Sequence, residues 1–228
     1  MSNFVLVHGS SIGGWYWSEV AQRLENAGHH VYVIEQLPSS GPDPTALGDL
    51  ATDAAVVKKA VESVGDDVIL VGHSYGGMVI TELADHPRVA HSVYLAGYWP
   101  ARGKSAFDLL GAGPPADWVV PQDYGTIRVT NDLDLLRQTL CADVDKDRAD
   151  ADLRRMTPVS IASLTAASSA PDRRHPTTYI ITEQDQAVPP AAQEQMAAAA
   201  NHIERLPSSH QPMVSMPDEL ATILGRVH

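Results

Sequence analysis

One cysteine, Cys141, stands in 228 residues. It cannot close a disulfide within the chain, and it cannot supply a site that gathers several thiolates around a metal. A reducing compartment is compatible with such a chain. Positive charge is also scarce: 16 Lys and Arg face 28 Asp and Glu, for a formal net charge of -12. The basic pairs Arg154-Arg155 and Arg173-Arg174 are isolated. Without a clustered basic face there is nothing to displace counterions from a phosphate backbone, which excludes nucleic acid as a partner and disfavours polyanionic substrates. No apolar run approaches the roughly 18 residues of a membrane span, so no membrane partner is expected. The start, MSNFVLVHG, enters a strand-like run at once. It lacks a basic stretch, apolar segment and cleavage site in succession, so a cytoplasmic location is expected. The phosphate-loop, dinucleotide and zincin patterns are missing as well, and no metal or organic cofactor is expected.

What is there is an ordinary globular composition, 44% hydrophobic and 19% charged, at a length that suits one large domain or one domain with an insertion. Short apolar runs at 4–7, 31–34, 68–71, 92–97, 178–182 and 202–206 alternate with helical patterns at 13–27, 45–64, 76–85, 190–200 and 217–227. Runs rich in β-branched residues and apolar on both faces belong to buried parallel strands, with helices as the crossovers. The pattern predicts an α/β doubly wound sheet of about six mostly parallel strands flanked by helices. The alternation stops over residues 98–175, which hold Pro100, Pro114, Pro115, Pro121, Pro158 and Pro171 and only weak helical patterns at 132–140 and 149–155. An insertion placed there reads as a lid over the strand ends, leaving 1–97 and 176–228 as the core. Its Tyr98, Trp99, Trp118 and Tyr124 suit an apolar or aromatic ligand of modest size, or equally the lid's own core.

The chemistry centres on Gly72-His73-Ser74-Tyr75-Gly76, between a strand and a helix. Glycines two residues to either side let the chain turn tightly enough to lift the Ser74 hydroxyl out of the backbone; the bland alternative is a glycine-rich turn with a bystander serine. A serine hydroxyl is a weak nucleophile until a base takes its proton, and the base needs a third group to hold its tautomer. Asp185, just past the run at 178–182, and His210, just past the run at 202–206, supply these in the order Ser, Asp, His. Glu183 is the reserve acid and His175 the competing base. His29, His30, His86, His91 and His228 read as surface or capping residues, His202 as the start of an edge strand, and His73 as a packing residue. After the first strand, His8-Gly9-Ser10-Ser11-Ile12-Gly13-Gly14 forms a loop able to aim a backbone N–H at a developing oxyanion. Ser10 and Tyr75 are then the two amide donors, and His8 braces the loop.

Together FVLVHGSSIGGWYW, VGHSYGG, YIITEQDQAVP and SHQPMVSMPDEL resemble the α/β-hydrolase superfamily, in the branch of plant methylesterases, hydroxynitrile lyases and their bacterial esterase relatives. The resemblance implies Ser74 as nucleophile, His210 as general base, Asp185 as orienting acid, and the amides of Ser10 and Tyr75 as the oxyanion hole. Gly9, Ser11 and Trp118 are the expected substrate contacts. Lyases of this branch carry Thr and Lys where this chain has Gly9 and Gln211. A neutral amide cannot supply the cation that a leaving cyanide needs, so the resemblance favours a carboxylesterase acting on a small-molecule ester. The chain also starts at the strand entering the His8 loop, implying a trimmed core, and a homodimer is compatible with the branch. The competing functions are non-hydrolytic use of the same triad, by a lyase, lactone opener or cyclase, and a ligand-binding protein without turnover.

Overall fold

The computed structural model describes residues 1–65, 67–110 and 116–227; the expectation for His228 lies outside them. In chain order the first half holds β1 (Asn3–Val7), α1 (Ser18–Asn26), β2 (His30–Val33), α2 (Leu50–Val64), β3 (Val68–His73), α3 (Tyr75–Thr81) and β4 (Val89–Leu95). There follow α4 (Ala106–Leu110), β5 (Val119–Gln122), β6 (Thr126–Val129), α5 (Leu133–Leu140), α6 (Lys146–Leu153), β7 (Val159–Ser160) and α7 (Ile161–Thr165). The chain closes with β8 (Thr177–Thr182), α8 (Pro190–Ala197), β9 (His202–Leu206), α9 (Pro212–Ser215) and α10 (Pro217–Leu224).

The six expected strands form one sheet in the order β2-β1-β3-β4-β8-β9, every neighbouring pair parallel. Its two faces follow from the period-two alternation of a strand. Val5, Val7, Leu70 and Ile181 point to one side, where α2, α3 and α8 cover them. Phe4, Leu6, Ile69, Val71, Val93 and Ile180 point to the other, against α1 and α10. Central β3 and β8 are buried along their whole length, whereas the edge strands β2 and β9 are largely exposed, as a sheet covered on both faces requires. Cys141 is a buried free thiol, pushed up to about 12 by burial, which disfavours the reactive thiolate. Among the described residues, no helix is long and apolar enough to cross a membrane.

Residues 98–175 contain more order than their sequence suggests. The two helical patterns correspond to α5 and α6, with α6 beginning three residues earlier than expected, at Lys146. A three-stranded antiparallel sheet, β5-β6-β7, was not foreseen. Its strands are four, four and two residues long, too short for alternation to show, and Pro121 interrupts the first. Proline is tolerated there because β5 is an edge strand. The segment is stitched to the core at Thr157 N–H to Ser11 C=O (2.9 Å), Gly41 N–H to Pro158 C=O (3.1 Å) and Ser160 N–H to Ser39 C=O (2.8 Å).

Candidate active site

Ser74 sits between the end of β3 and the first residue of α3, with φ 52° and ψ −122°. That positive φ costs a residue with a Cβ about 1–2 kcal/mol, and the surroundings impose it. Ser74 N–H donates to Leu95 C=O (3.1 Å), and its own carbonyl accepts from Gly77 N–H (3.0 Å) and Tyr98 N–H (2.9 Å). The flanking glycines are needed for space. A Cβ on Gly72 would lie 2.5 Å from Gly76 O, and one on Gly76 would lie 2.7 Å from both Val7 O and His8 O.

Asp185 follows β8 and is 1% exposed. Its Oδ1 accepts from the amides of Ala187 (2.8 Å) and Val188 (2.9 Å). Its Oδ2 accepts from Thr182 Oγ1 (2.8 Å), Gln193 Nε2 (3.0 Å) and His210 Nδ1 (2.7 Å). Burial alone would raise this carboxyl, but the facing His210 and the donors from Val188 and Thr182 outweigh it and hold it below its usual range. The carboxylate can only accept, so His210 Nδ1–H is the donor of this bond and Nε2 is the ring atom left to face the cavity chemistry. His210 and Ser74 share the wall of one cavity of about 340 Å³, together with Gly9, Ser10, Ser11 and Trp118. Neither Ser10 N–H nor Tyr75 N–H is engaged by a backbone carbonyl among the described residues; for Tyr75, the first helical residue, no partner within the helix exists.

A family model described as the alpha/beta hydrolase family matches residues 4–223. The chain belongs to that family. It is similar to the carbendazim hydrolyzing esterase of Nocardioides sp. (strain SG-4G), 35% identical over 251 residues, with 99% of each chain covered. It is also similar to Methylesterase 8 of Arabidopsis thaliana, 32% identical over 128 residues, covering 51% of this chain and 47% of that one. Among solved structures it is similar to a pyrethroid hydrolase from Sphingobium faniae JZ-2, with a TM-score of 0.85 at 25% identity, covering 98% of this chain and 96% of that one. Plant methylesterases and bacterial esterases are thus its relatives, as the four motifs imply.

In this α/β-hydrolase the rival site residues fall away from the cavity. Glu183 is exposed, whereas Asp185 reaches the imidazole. His175 pairs with Ser92 Oγ (2.8 Å) and Arg173 (3.0 Å), off the cavity wall. His91, expected at the surface, is instead 3% exposed and bonds Thr178 Oγ1 (2.9 Å), because β4 is an interior strand. Of the four aromatics offered by residues 98–175, Tyr98 and Trp118 line the cavity. Trp99 stacks on Tyr94 at 4.4 Å, and Tyr124 is 73% exposed, so neither is on the wall.

Two residues near Ser74 and His210 were missed or undervalued. His73 does pack, as expected, but it also lines the cavity, and its Nε2–H donates to the His210 carbonyl (2.8 Å). Burial, then the neighbouring His210, lower its pKa to about 3, so its ring stays neutral. Asp143, between α5 and α6, accepts from the Ser209 amide (3.1 Å) and hydroxyl and so ties residues 98–175 to the residue before His210. Neither contact has a sequence signal, since the partners lie 137 and 66 positions apart. His8 braces its loop as expected, its Nδ1–H donating to Gly9 C=O (2.7 Å).

Proposed function

We propose that this α/β-hydrolase is a serine carboxylesterase that cleaves small apolar or aromatic esters through an acyl-enzyme. The observation that carries the reading is the Asp185–His210 hydrogen bond of 2.7 Å on a histidine that shares its cavity wall with a strained Ser74. In the proposed reaction Ser74 Oγ attacks the ester carbonyl while His210 Nε2 accepts its proton, with Asp185 holding the imidazolium. The amides of Ser10 and Tyr75 bind the oxyanion. His210 then protonates the departing alcohol, and water repeats the sequence on the acyl-enzyme to release the acid.

The substrate class rests on the walls. Away from the catalytic end the cavity is lined by Trp118, Ile127, Val129, Leu140, Met156 and Leu164, which would desolvate an apolar acyl or alcohol group; we assign residues 98–175 the role of lid. The full-length likeness to a carbendazim hydrolyzing esterase and to a pyrethroid hydrolase supports the same class. Gln211 is buried and lines the cavity beside His210. A neutral amide there favours hydrolysis over cyanide release.

The test is a panel of short aryl and alkyl esters, with carbendazim and a pyrethroid added, assayed with wild type and Ser74→Ala. Wild type is expected to turn over short acyl esters and to take a fluorophosphonate label stoichiometrically, and Ser74→Ala to lose both, with kcat down roughly 10⁵- to 10⁶-fold. A Ser74→Ala protein that keeps wild-type turnover, or a wild type that neither labels nor turns over any ester, refutes the reading.

A further inference from the structure

Building on the serine-esterase reading, we propose that Asp53 is a positioning residue for the oxyanion-binding amide of Tyr75, and that it sets this amide jointly with the lid. Asp53 lies in the first turn of α2 and is 0% exposed. Its Oδ2 accepts from the Tyr75 hydroxyl (2.7 Å) and its Oδ1 from the Ser39 amide (2.9 Å). Among the described residues no Lys, Arg or His pairs with it; the start of α2 supplies the nearest positive field.

A carboxylate and a phenol buried against one another are an expensive way to fill a core. Tyr75 is itself 0% exposed, packed in the apolar layer beneath the sheet with Met78, Val79 and Tyr94, where a phenylalanine or leucine would avoid desolvating a hydroxyl. Burial drives the Asp53 carboxyl above its usual range, opposed by the donors from Ser39 and Tyr75. What the pair supplies is direction. Tyr75 follows the strained Ser74, so fixing its ring by the far end fixes the rotation of the peptide whose N–H faces the oxyanion.

The second contact of Asp53 makes the device more than local. Ser39 and Ser40 reach the neighbours of both proposed amide donors, Asp53 behind Tyr75 and Ser11 beside Ser10, and Ser39 also reaches the lid. The Ser39 amide reaches Asp53 and thereby Tyr75. Its carbonyl accepts from Ser160 N–H of β7 (2.8 Å). Ser40 Oγ accepts from the amide of Ser11 (3.2 Å), the neighbour of Ser10. Val159 of β7 lines the substrate cavity, so the wall that meets substrate is tied through Ser39 and Ser40 to Asp53, which holds Tyr75, and to Ser11, which follows Ser10.

The experiment compares Tyr75→Phe, Asp53→Asn, Asp53→Ala and the Tyr75→Phe/Asp53→Ala double variant. Active sites are counted by fluorophosphonate, and kcat, KM and inhibition by a trifluoromethyl ketone, which forms an anionic tetrahedral adduct, are measured. Tyr75→Phe and Asp53→Ala should each lower kcat per titrated site about tenfold with KM within about twofold, and weaken the ketone by a similar factor. Asp53→Asn, whose amide oxygen can keep accepting from the Ser39 amide while its Nδ2–H donates to the phenol oxygen, should recover most of the loss. The double variant should be no worse than the poorer single one. A Tyr75→Phe enzyme with wild-type kcat per titrated site overturns the proposal, and so does a loss confined to the number of titratable sites, which is what a purely structural role predicts. If Asp53→Ala does not fold, the near-isosteric Tyr75→Phe still decides. A wild type that takes no label overturns the esterase reading and this inference with it.

Discussion

Asp185 differs from Glu183, two positions earlier, in one respect that matters: its side chain turns inward at the end of β8 and arrives at the imidazole of His210 at 2.7 Å. Four other donors hold that carboxylate in place. Asp185→Asn is therefore expected to fold normally, since the amide has the same shape and keeps one acceptor. Its nitrogen would, however, favour the wrong tautomer of His210. We expect kcat at neutral pH to fall roughly 10⁴-fold with a thermal midpoint only modestly lowered, since the charge held low against His210 also stabilises the fold; an active Asp185→Asn enzyme would remove Asp185 from the proposed triad. At this scale the approach of Asp185 to His210 was legible from the positions of both residues just past strands, and Ser74 from its glycine-flanked turn between a strand and a helix. The contact of Asp53 with Tyr75 was not, because an acid in the first turn of a helix already has a sufficient local reason to be there in the helix dipole.

At the scale of elements, the interior strands of the main sheet could be read because burial on both faces leaves a run with little polar interruption, whereas the exposed edge strands β2 and β9 could be read from their place in the strand–helix alternation. The β5-β6-β7 sheet could not, since its pairing is a tertiary event among segments without a period of their own. The strand–turn–helix unit around Ser74 shows how closely its glycines are tied to packing. The carbonyl oxygens of Val7 and His8 both lie 2.7 Å from where a Cβ on Gly76 would be. Both belong to backbone at the end of β1, whose register against β3 is fixed by Val7 facing Gly72. Neither can swing aside as a side-chain tip could. Gly76→Ala should therefore separate β1 from α3, costing on the order of 1–3 kcal/mol and lowering the thermal midpoint by roughly 3–10 °C. Activity should fall more than stability, because the displaced backbone leads directly into the His8 loop. Calorimetry and the ester assay on one preparation check this; an Ala variant with a wild-type midpoint and kcat would show that the contact relaxes freely.

For the molecule as a whole, buried imidazoles make the fold acid-sensitive well above the carboxylate range. His8 and His73 are fully enclosed, and burial lowers them to about 4 and about 3 from an ordinary 6.5. Between pH 6.5 and 4 the unfolded chain binds a proton at each position while the folded chain binds almost none. Stability is thus fully present above pH 6.5 and is lost as pH falls through that window. Two such groups give a slope of about 2.7 kcal/mol per pH unit near pH 5. His175, lowered to about 4 by burial and by Arg173, adds to the slope, with a smaller share because it is partly exposed. Asp185, held low against His210, acts in the same direction only at more acid pH, as protonation of its carboxylate begins to favour the unfolded chain. Urea unfolding at several pH values should therefore show a plateau above pH 7, then a decline that corresponds to uptake of two to three protons near pH 5. Replacing His175, which lies off the cavity wall, by Gln should reduce the uptake by up to one proton without changing kcat at pH 7.5. Unfolding free energies that stay level from pH 7 to pH 4 would mean that these imidazoles are already protonated inside the fold. Neutral His73 could then no longer be the fixed donor to the His210 carbonyl with its second nitrogen bare.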